Sequence, residues 1–229
     1  MDEPIRIISS MATRQLLTEL LAEFGRESSQ AVRLESVGGV DAANRVQAGE
    51  AFDIVALASD AIGKLTTAGH LAAHSRVDLV RSGVAVAVRS GAPRPDIGSG
   101  DAVRRAVLAA RTLGYSTGPS GVQLARQFER WGIADTIKDR IVQAPPGVPV
   151  GRLVAQGQVE LGFQQLSELM NLPGIDVLGP LPEDIQITTT FSAAVSTACT
   201  RPDAARALLA FMVAPAMDAI KRRNGMEPA

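Results

Sequence analysis

The sequence is poor in cysteine, histidine and lysine, and each shortage excludes something. A single cysteine, Cys199, rules out an internal disulfide. The two histidines, His70 and His74, could share a helix face but have no acidic third ligand at metal-binding spacing, so they read as surface residues and no metal is expected. Lysine is confined to Lys64, Lys138 and Lys221, and the net charge is −1, which leaves no basic excess to meet nucleic-acid phosphates. No apolar run approaches the ~20 residues of a membrane span, so no membrane insertion is expected. Nor do a basic patch and an apolar stretch open the chain: Met1-Asp2-Glu3-Pro4 runs straight into strand. As it stands the chain reads as cytoplasmic; it would be periplasmic had a signal peptide been removed. No Ser/His/Asp or Cys/His arrangement points to nucleophilic hydrolysis.

What remains is an ordinary globular composition, 46% apolar and 21% charged over 229 residues. That length suits one large domain or two small lobes. The opening strand, Ile5-Arg6-Ile7-Ile8, ends in Ser9-Ser10-Met11-Ala12-Thr13-Arg14. It feeds a helix whose Leu16, Leu17, Leu20, Leu21 and Phe24 share one face. A strand that hands over to a helix through small polar residues presents free backbone N–H groups and the positive end of the helix dipole, an anion site. Ser9 and Ser10 read equally well as a turn and a helix cap.

The device recurs. A strand over 31–36 leads through Val37-Gly38-Gly39-Val40-Asp41 to a helix from Ala42 to Ala48, stopped by Gly49. The Gly38-Gly39 pair admits a ligand close to the backbone. It lacks the spacing of a dinucleotide fingerprint or a P-loop, so no nucleotide and no cofactor is expected. Asp53-Ile54-Val55-Ala56-Leu57 is a third strand, ending at Ala58-Ser59-Asp60 with a helix beyond; Asp53 and Asp60 read as turn or cap residues. Three strand-to-helix turns this close together predict an α/β fold with a mostly parallel sheet, and ligands in such sheets bind beyond the carboxyl ends of the strands.

A strand over 84–89 runs into the Pro/Gly-rich 90–95, which reads as a boundary or hinge. A helix over about 101–111 and Thr112-Leu113-Gly114-Tyr115 follow, then Ser116-Thr117-Gly118-Pro119-Ser120-Gly121 and a helix from Val122 to Trp131. Pro119 suits a helix opening, and Ser120 with Gly121 repeats the anion device. Further on come a strand near Ile141, the loop Ala144-Pro145-Pro146-Gly147 and a helix from about Val150. The strand Val159–Phe163 then delivers Gln164-Gln165; these alternate across the strand, so at most one faces a ligand. A long strand over 187–195 and helices over 202–213 and 215–223, the last closed by Gly225, complete the chain. The expected architecture is two α/β lobes joined by two crossing strands, with the ligand cleft between them. Residues 1–84 plus 194–229 form the first, discontinuous lobe, and residues 85–193 the second.

The segments IRIISSMATRQLLTELLAEF, VQAGEAFDIVALASD, GPSGVQLARQFERWGI, GQVELGFQQLSEL and the closing NGMEPA together resemble the molybdate-binding proteins of the type 2 periplasmic-binding-protein fold. The Ala48-Gly49…Asp53 element and the Gly225-x-Glu227-Pro228 ending are family-like in combination. The resemblance covers nearly the whole chain and implies a cleft that closes on an oxyanion. In detail the pattern departs. The family's first-loop serine falls on Ala12, its second-loop serine near Val40, and its returning-strand tyrosine near Phe191. A desolvated oxyanion loses roughly 1–3 kcal/mol with each missing donor, so molybdate is not the expected ligand.

Donors that are present are more dispersed: Ser9, Ser10, Met11 and Thr13 with Arg14, the loop Gly38, Gly39 and Val40, then Ser120, Gly121, Gln164, Gln165 and Thr190. They suit a larger polycarboxylate. Within the family the overall pattern is similar to the aconitate isomerases, and this implies exchange of cis- and trans-aconitate by an allylic proton shift. Such a shift needs a base near a carbon next to a carboxylate and donors for the dienolate. Tyr115 is a candidate acid/base or hydroxyl donor, or a ring wedged at a cleft lip. Glu168 is a candidate base or a surface helix carboxylate. Arg14 either forks a carboxylate or faces solvent. The alternative reading is a solute-binding component of an importer for molybdate or another small anion, without catalysis. An ABC permease is a partner only in that case, and a small tricarboxylate or oxyanion is the ligand in either.

Overall fold

A computed structural model describes residues 3–145 and 147–229, so Met1, Asp2 and Pro146 of the Pro-Pro loop lie outside the described residues. β1 (Ile5–Ser10) passes through one tight turn, Met11–Thr13, into α1 (Arg14–Glu27). Its Leu16, Leu17 and Leu20 are buried, each worth roughly 2 kcal/mol against exposure. β2 (Val32–Val37), α2 (Gly39–Gln47), β3 (Ile54–Ala58) and α3 (Ser59–Thr67) repeat the strand-to-helix unit. β4 (Val77–Arg89), α4 (Gly100–Ala109), β5 (Leu113–Ser116), α5 (Pro119–Arg130), α6 (Ala134–Ile137) and β6 (Ile141–Ala144) follow. Then come α7 (Val150–Ala155), β7 (Leu161–Gln165), α8 (Leu166–Leu169), β8 (Ile175–Pro180), β9 (Thr188–Val195), α9 (Pro202–Val213), α10 (Asp218–Arg223) and β10 (Glu227–Pro228).

These elements form two compact units. The first holds the residues up to Arg81 and Thr190–Ala229, and the second holds Ser82–Thr189. The chain therefore changes units at Arg81/Ser82 within β4 and at Thr189/Thr190 within β9, rather than at 84/85 and 193/194.

In the first unit β1 is the centre of a parallel set, with β2 on one side and β3 on the other, and β9 runs antiparallel beyond β3. Alternation along β1 sends Ile5 and Ile7 to a core shared with α1 and α9, and Ile8 to one shared with α2 and α3. Helices cover both faces of the sheet at β3, which is apolar and buried throughout. In the second unit β5 lies between β6 and β7, parallel to both, and β4 runs antiparallel to β7 and to β8. Phe128 of α5 and Phe163 of β7 meet edge to face in its main core.

Several boundaries differ from the sequence reading. β4 begins at Val77, half-buried, with Leu79 and Val80 buried and Val80 paired to Pro228, a strand start hidden by the Arg81-Ser82-Gly83 interruption. β8 and the two-residue β10 were not anticipated. α5 starts at Pro119, using proline's fixed φ at its first position. β7 is displaced to Leu161–Gln165, which takes both glutamines into the strand. His70 and His74 follow α3 instead of sharing its face, and His74 has φ 63°. Among the described residues no helix is long and apolar enough to cross a membrane.

Candidate functional site

In the first unit the register aligns the carboxyl ends of three strands. Ser10 of β1 is opposite Val37 of β2, and Ser9 is opposite Ala56 of β3. Three helical starts therefore sit along one edge. None of their flanking residues, Ser10, Gly38 and Ala58, makes a side-chain cap. In the second unit α4, by contrast, is conventionally capped, the Ser99 hydroxyl accepting from Ala102 N–H at 3.2 Å.

The expected ligand residues divide along this edge. Ser9 is fully buried, its Oγ lying 2.7 Å from Ser36 Oγ, so its hydroxyl is already engaged. Ser36 was missed from the sequence; its signal was the parallel register that sets it beside Ser9. Ser10 is buried next to Thr13, whose hydroxyl donates to Ser10 O at 3.2 Å. A Cβ on Gly39 would stand 3.7 Å from Ser10 Cβ, so the start of α2 adjoins the end of β1. Gly38 precedes α2, and Val40 in its first turn is exposed. Met11 lies in the tight turn, half-buried, while Arg14 is exposed as the first residue of α1, a helix with no acidic residue in its first turn. Thr190 is half-buried in β9. Of the positions where the molybdate pattern has hydroxyls, Ala12 is packed against the core, Val40 faces solvent, and Phe191 is buried in the core opposite Ala58.

The second unit repeats the arrangement at the carboxyl ends of β5, β6 and β7. α5 opens at Pro119 with no side-chain cap and no acid in its first turn, and the Ser116 hydroxyl accepts from Gly118 N–H at 3.3 Å. Any Cβ on Gly121 would collide with the Ser116 carbonyl oxygen; only glycine lets α5 approach β5 this closely. Ser120 is buried at the same turn. Tyr115 has its ring in the core, edge-on to Phe128 with centroids 6.1 Å apart. Burial pushes its phenol up from its ordinary value, so it can donate a hydrogen bond but is a poor base at neutral pH.

Gln164 and Gln165, of which the sequence expects at most one to face a ligand, both make side-chain hydrogen bonds within the second unit. Both are buried. Gln164 accepts from Val150 N–H at 2.8 Å and donates to Glu168 Oε1 at 2.8 Å. Gln165 accepts from the Thr189 hydroxyl at 2.8 Å and donates to Ser82 O at 3.1 Å and Ser82 Oγ at 2.8 Å. The reversed amide would set its oxygen against the carbonyl oxygens of Ser82 and Gly83.

Glu168 is not the solvated helix carboxylate its place in the sequence allows. Desolvation at the end of β7 pushes its carboxyl up to about 7, partly offset by the hydrogen bond from Gln164. A carboxyl near neutrality can accept a proton and return it in one catalytic cycle. Among the described residues no group of three or more His, Cys, Asp and Glu side chains gathers to hold a metal.

A family model described as bacterial extracellular solute-binding protein matches residues 5–227. The chain belongs to that family. It is 40% identical over 188 residues to an aconitate isomerase from a Pseudomonas species, covering 81% of this chain and 71% of that one. Among solved structures it is similar to the periplasmic molybdate-binding protein of Azotobacter vinelandii, with TM-score 0.80 and 18% identity over 97% of this chain and 98% of that one. It is also similar to the sulfate-binding protein SubI of Mycobacterium tuberculosis H37Rv, with TM-score 0.80 and 15% identity over 100% of this chain and 88% of that one. The fold is thus the mixed α/β fold of periplasmic-binding proteins, and a solute-binding family member binds a small ligand.

Proposed function

We propose that this protein binds a small polycarboxylate and interconverts cis- and trans-aconitate by an allylic proton shift. The 40% identity to an aconitate isomerase over 81% of the chain carries the reading. The chemistry of the two units supports it. Along the first unit's edge, uncapped helical starts and the exposed Arg14 offer donors and one fixed positive charge for carboxylates. Glu168 in the second unit is the acid/base of this reading and takes a proton from the methylene carbon of the substrate. The electron pair then spreads over the allylic system as a dienolate, and the double bond moves by one carbon. Glu168 returns the proton to the former vinylic carbon, so no atom is gained or lost. Tyr115 and the start of α5 supply donors to the dienolate oxygens.

Purified protein mixed with each aconitate isomer in D₂O and followed by NMR tests this. Interconversion with deuterium entering the methylene position is expected. Ser10→Ala and Arg14→Ala should each weaken cis-aconitate binding by about tenfold in calorimetry. Absence of both turnover and deuterium uptake sinks the isomerase. The second reading is a non-catalytic binding protein for a small oxyanion or carboxylate, favoured by the structural likeness to molybdate- and sulfate-binding proteins. Ala12, Val40 and Phe191 count against molybdate itself, because none of their side chains can donate a hydrogen bond. Tight molybdate binding without aconitate turnover would establish that reading instead.

A further inference from the structure

Gln164 is 3% exposed, yet both ends of its amide are used. Its Oε1 accepts from Val150 N–H at the first position of α7, and its Nε2 donates to Glu168 Oε1, both at 2.8 Å. A backbone N–H only donates, so it dictates which end of the amide is oxygen. Reversal would press the amide nitrogen against the Val150 N–H and turn an acceptor toward a carboxylate. Gln164 is therefore locked as a donor. Every fully buried side-chain nitrogen or oxygen among the described residues has a partner.

We propose that Gln164 is a positioning residue for the proton transfer: locked by Val150, it engages one oxygen of Glu168 and leaves the other to face the substrate carbon. This rests on the reading of Glu168 as the acid/base. The donated bond also favours the ionised carboxylate and opposes the desolvation that raises its proton affinity. Charged groups on the neighbouring elements do not take over that role. Arg152 on α7 and Arg89 at the end of β4 are exposed. Asp176 on β8 accepts from Ser90 and pairs with Arg94. β7 itself carries no charged residue. The two short hydrogen bonds make Gln164 a wire from a backbone amide to a carboxyl, and a bare packing role would require neither.

The test follows the Glu168 carboxyl directly, in protein labelled with ¹³C at glutamate carboxyls, its resonance assigned by its loss in Glu168→Gln. Gln164→Met keeps the length of the side chain and removes both bonds. Its Glu168 midpoint should rise by about one unit, a tenfold change in proton affinity, and the acidic limb of kcat/KM for aconitate should rise with it while KM changes little. An unmoved midpoint and limb, in a variant that keeps the parent melting temperature, overturn the proposal. Should Gln164→Met fail to fold, Val150→Pro removes the locking N–H together with the buried valine side chain, at a helix position that accepts proline. The same rise is expected there, and an unchanged midpoint again overturns the proposal. If the parent protein shows no aconitate turnover yet its Glu168 midpoint still moves in these variants, the assigned reaction is wrong. If turnover is present and the midpoint does not move, the reaction stands and the role of Gln164 is wrong.

Discussion

The Thr189 hydroxyl donates to the Gln165 amide oxygen at 2.8 Å, and Thr189 is the last residue of the second unit. The same amide donates to Ser82, the first residue of that unit. One buried side chain on β7 thus holds the two points where the chain enters and leaves. Gln165→Leu removes the donor and leaves the Ser82 oxygens short of a partner, a loss of about 1–3 kcal/mol. Denaturant unfolding should show that loss, with faster hydrogen exchange concentrated at 82–84 and 188–190. Uniform exchange across the second unit would argue against a local brace.

Gly121 and Gly25 make opposite predictions from the same substitution. A Cβ at Gly121 meets the Ser116 carbonyl oxygen, whereas one at Gly25, in α1, meets nothing within 4 Å. Gly121→Ala should cost more than about 3 kcal/mol, because neither α5 nor β5 can yield without losing its core contacts. Gly25→Ala should gain about 0.5–1 kcal/mol, since alanine loses less backbone entropy in a helix. Thermal melts of the two variants beside the parent check both signs.

Glu168 gives a pH dependence of stability with a definite sign. Its folded value, about 7, lies above the ordinary 4.5, so the folded state favours the neutral acid. Its contribution is fully present below 4.5, where both states are protonated. It is lost as pH rises to about 7 and the unfolded chain alone ionises freely. Glu168→Gln removes that loss. The variant should match the parent near pH 4 and exceed it by roughly 2–3 kcal/mol at pH 8, measured by urea unfolding at both values. A variant less stable than the parent at pH 8 would mean that the ionised carboxylate is held favourably.

Much of the fold was legible because its signals are local. The leucine spacing of α1, the apolar runs of β1 and β3, and Pro119 at the opening of α5 each state their element within a few residues. Gly225, with φ 70°, closes α10 as its position promised. β8 and β10 were not legible, since their pairing with β4 brings together segments far apart in sequence, and Glu227-Pro228 has no strand pattern of its own. The start of β4 was hidden by Arg81-Ser82-Gly83, polar residues that look like a turn but lie at the change of units.

The candidate site splits in the same way. From sequence alone the order of strands, short turns and helices determined that helix starts would follow strand ends, because a helix's free N–H groups are a property of its own first turn. Only the tertiary structure decided which side chains near those starts are free. Ser9 is engaged by Ser36, Gln164 by Val150 and Glu168, and Gln165 by Ser82 and Thr189. It also decided that Glu168 is a carboxyl poised near neutrality. Hydrogen-bond partners and desolvation depend on what packs around a group, and that packing is assembled from segments no local window contains.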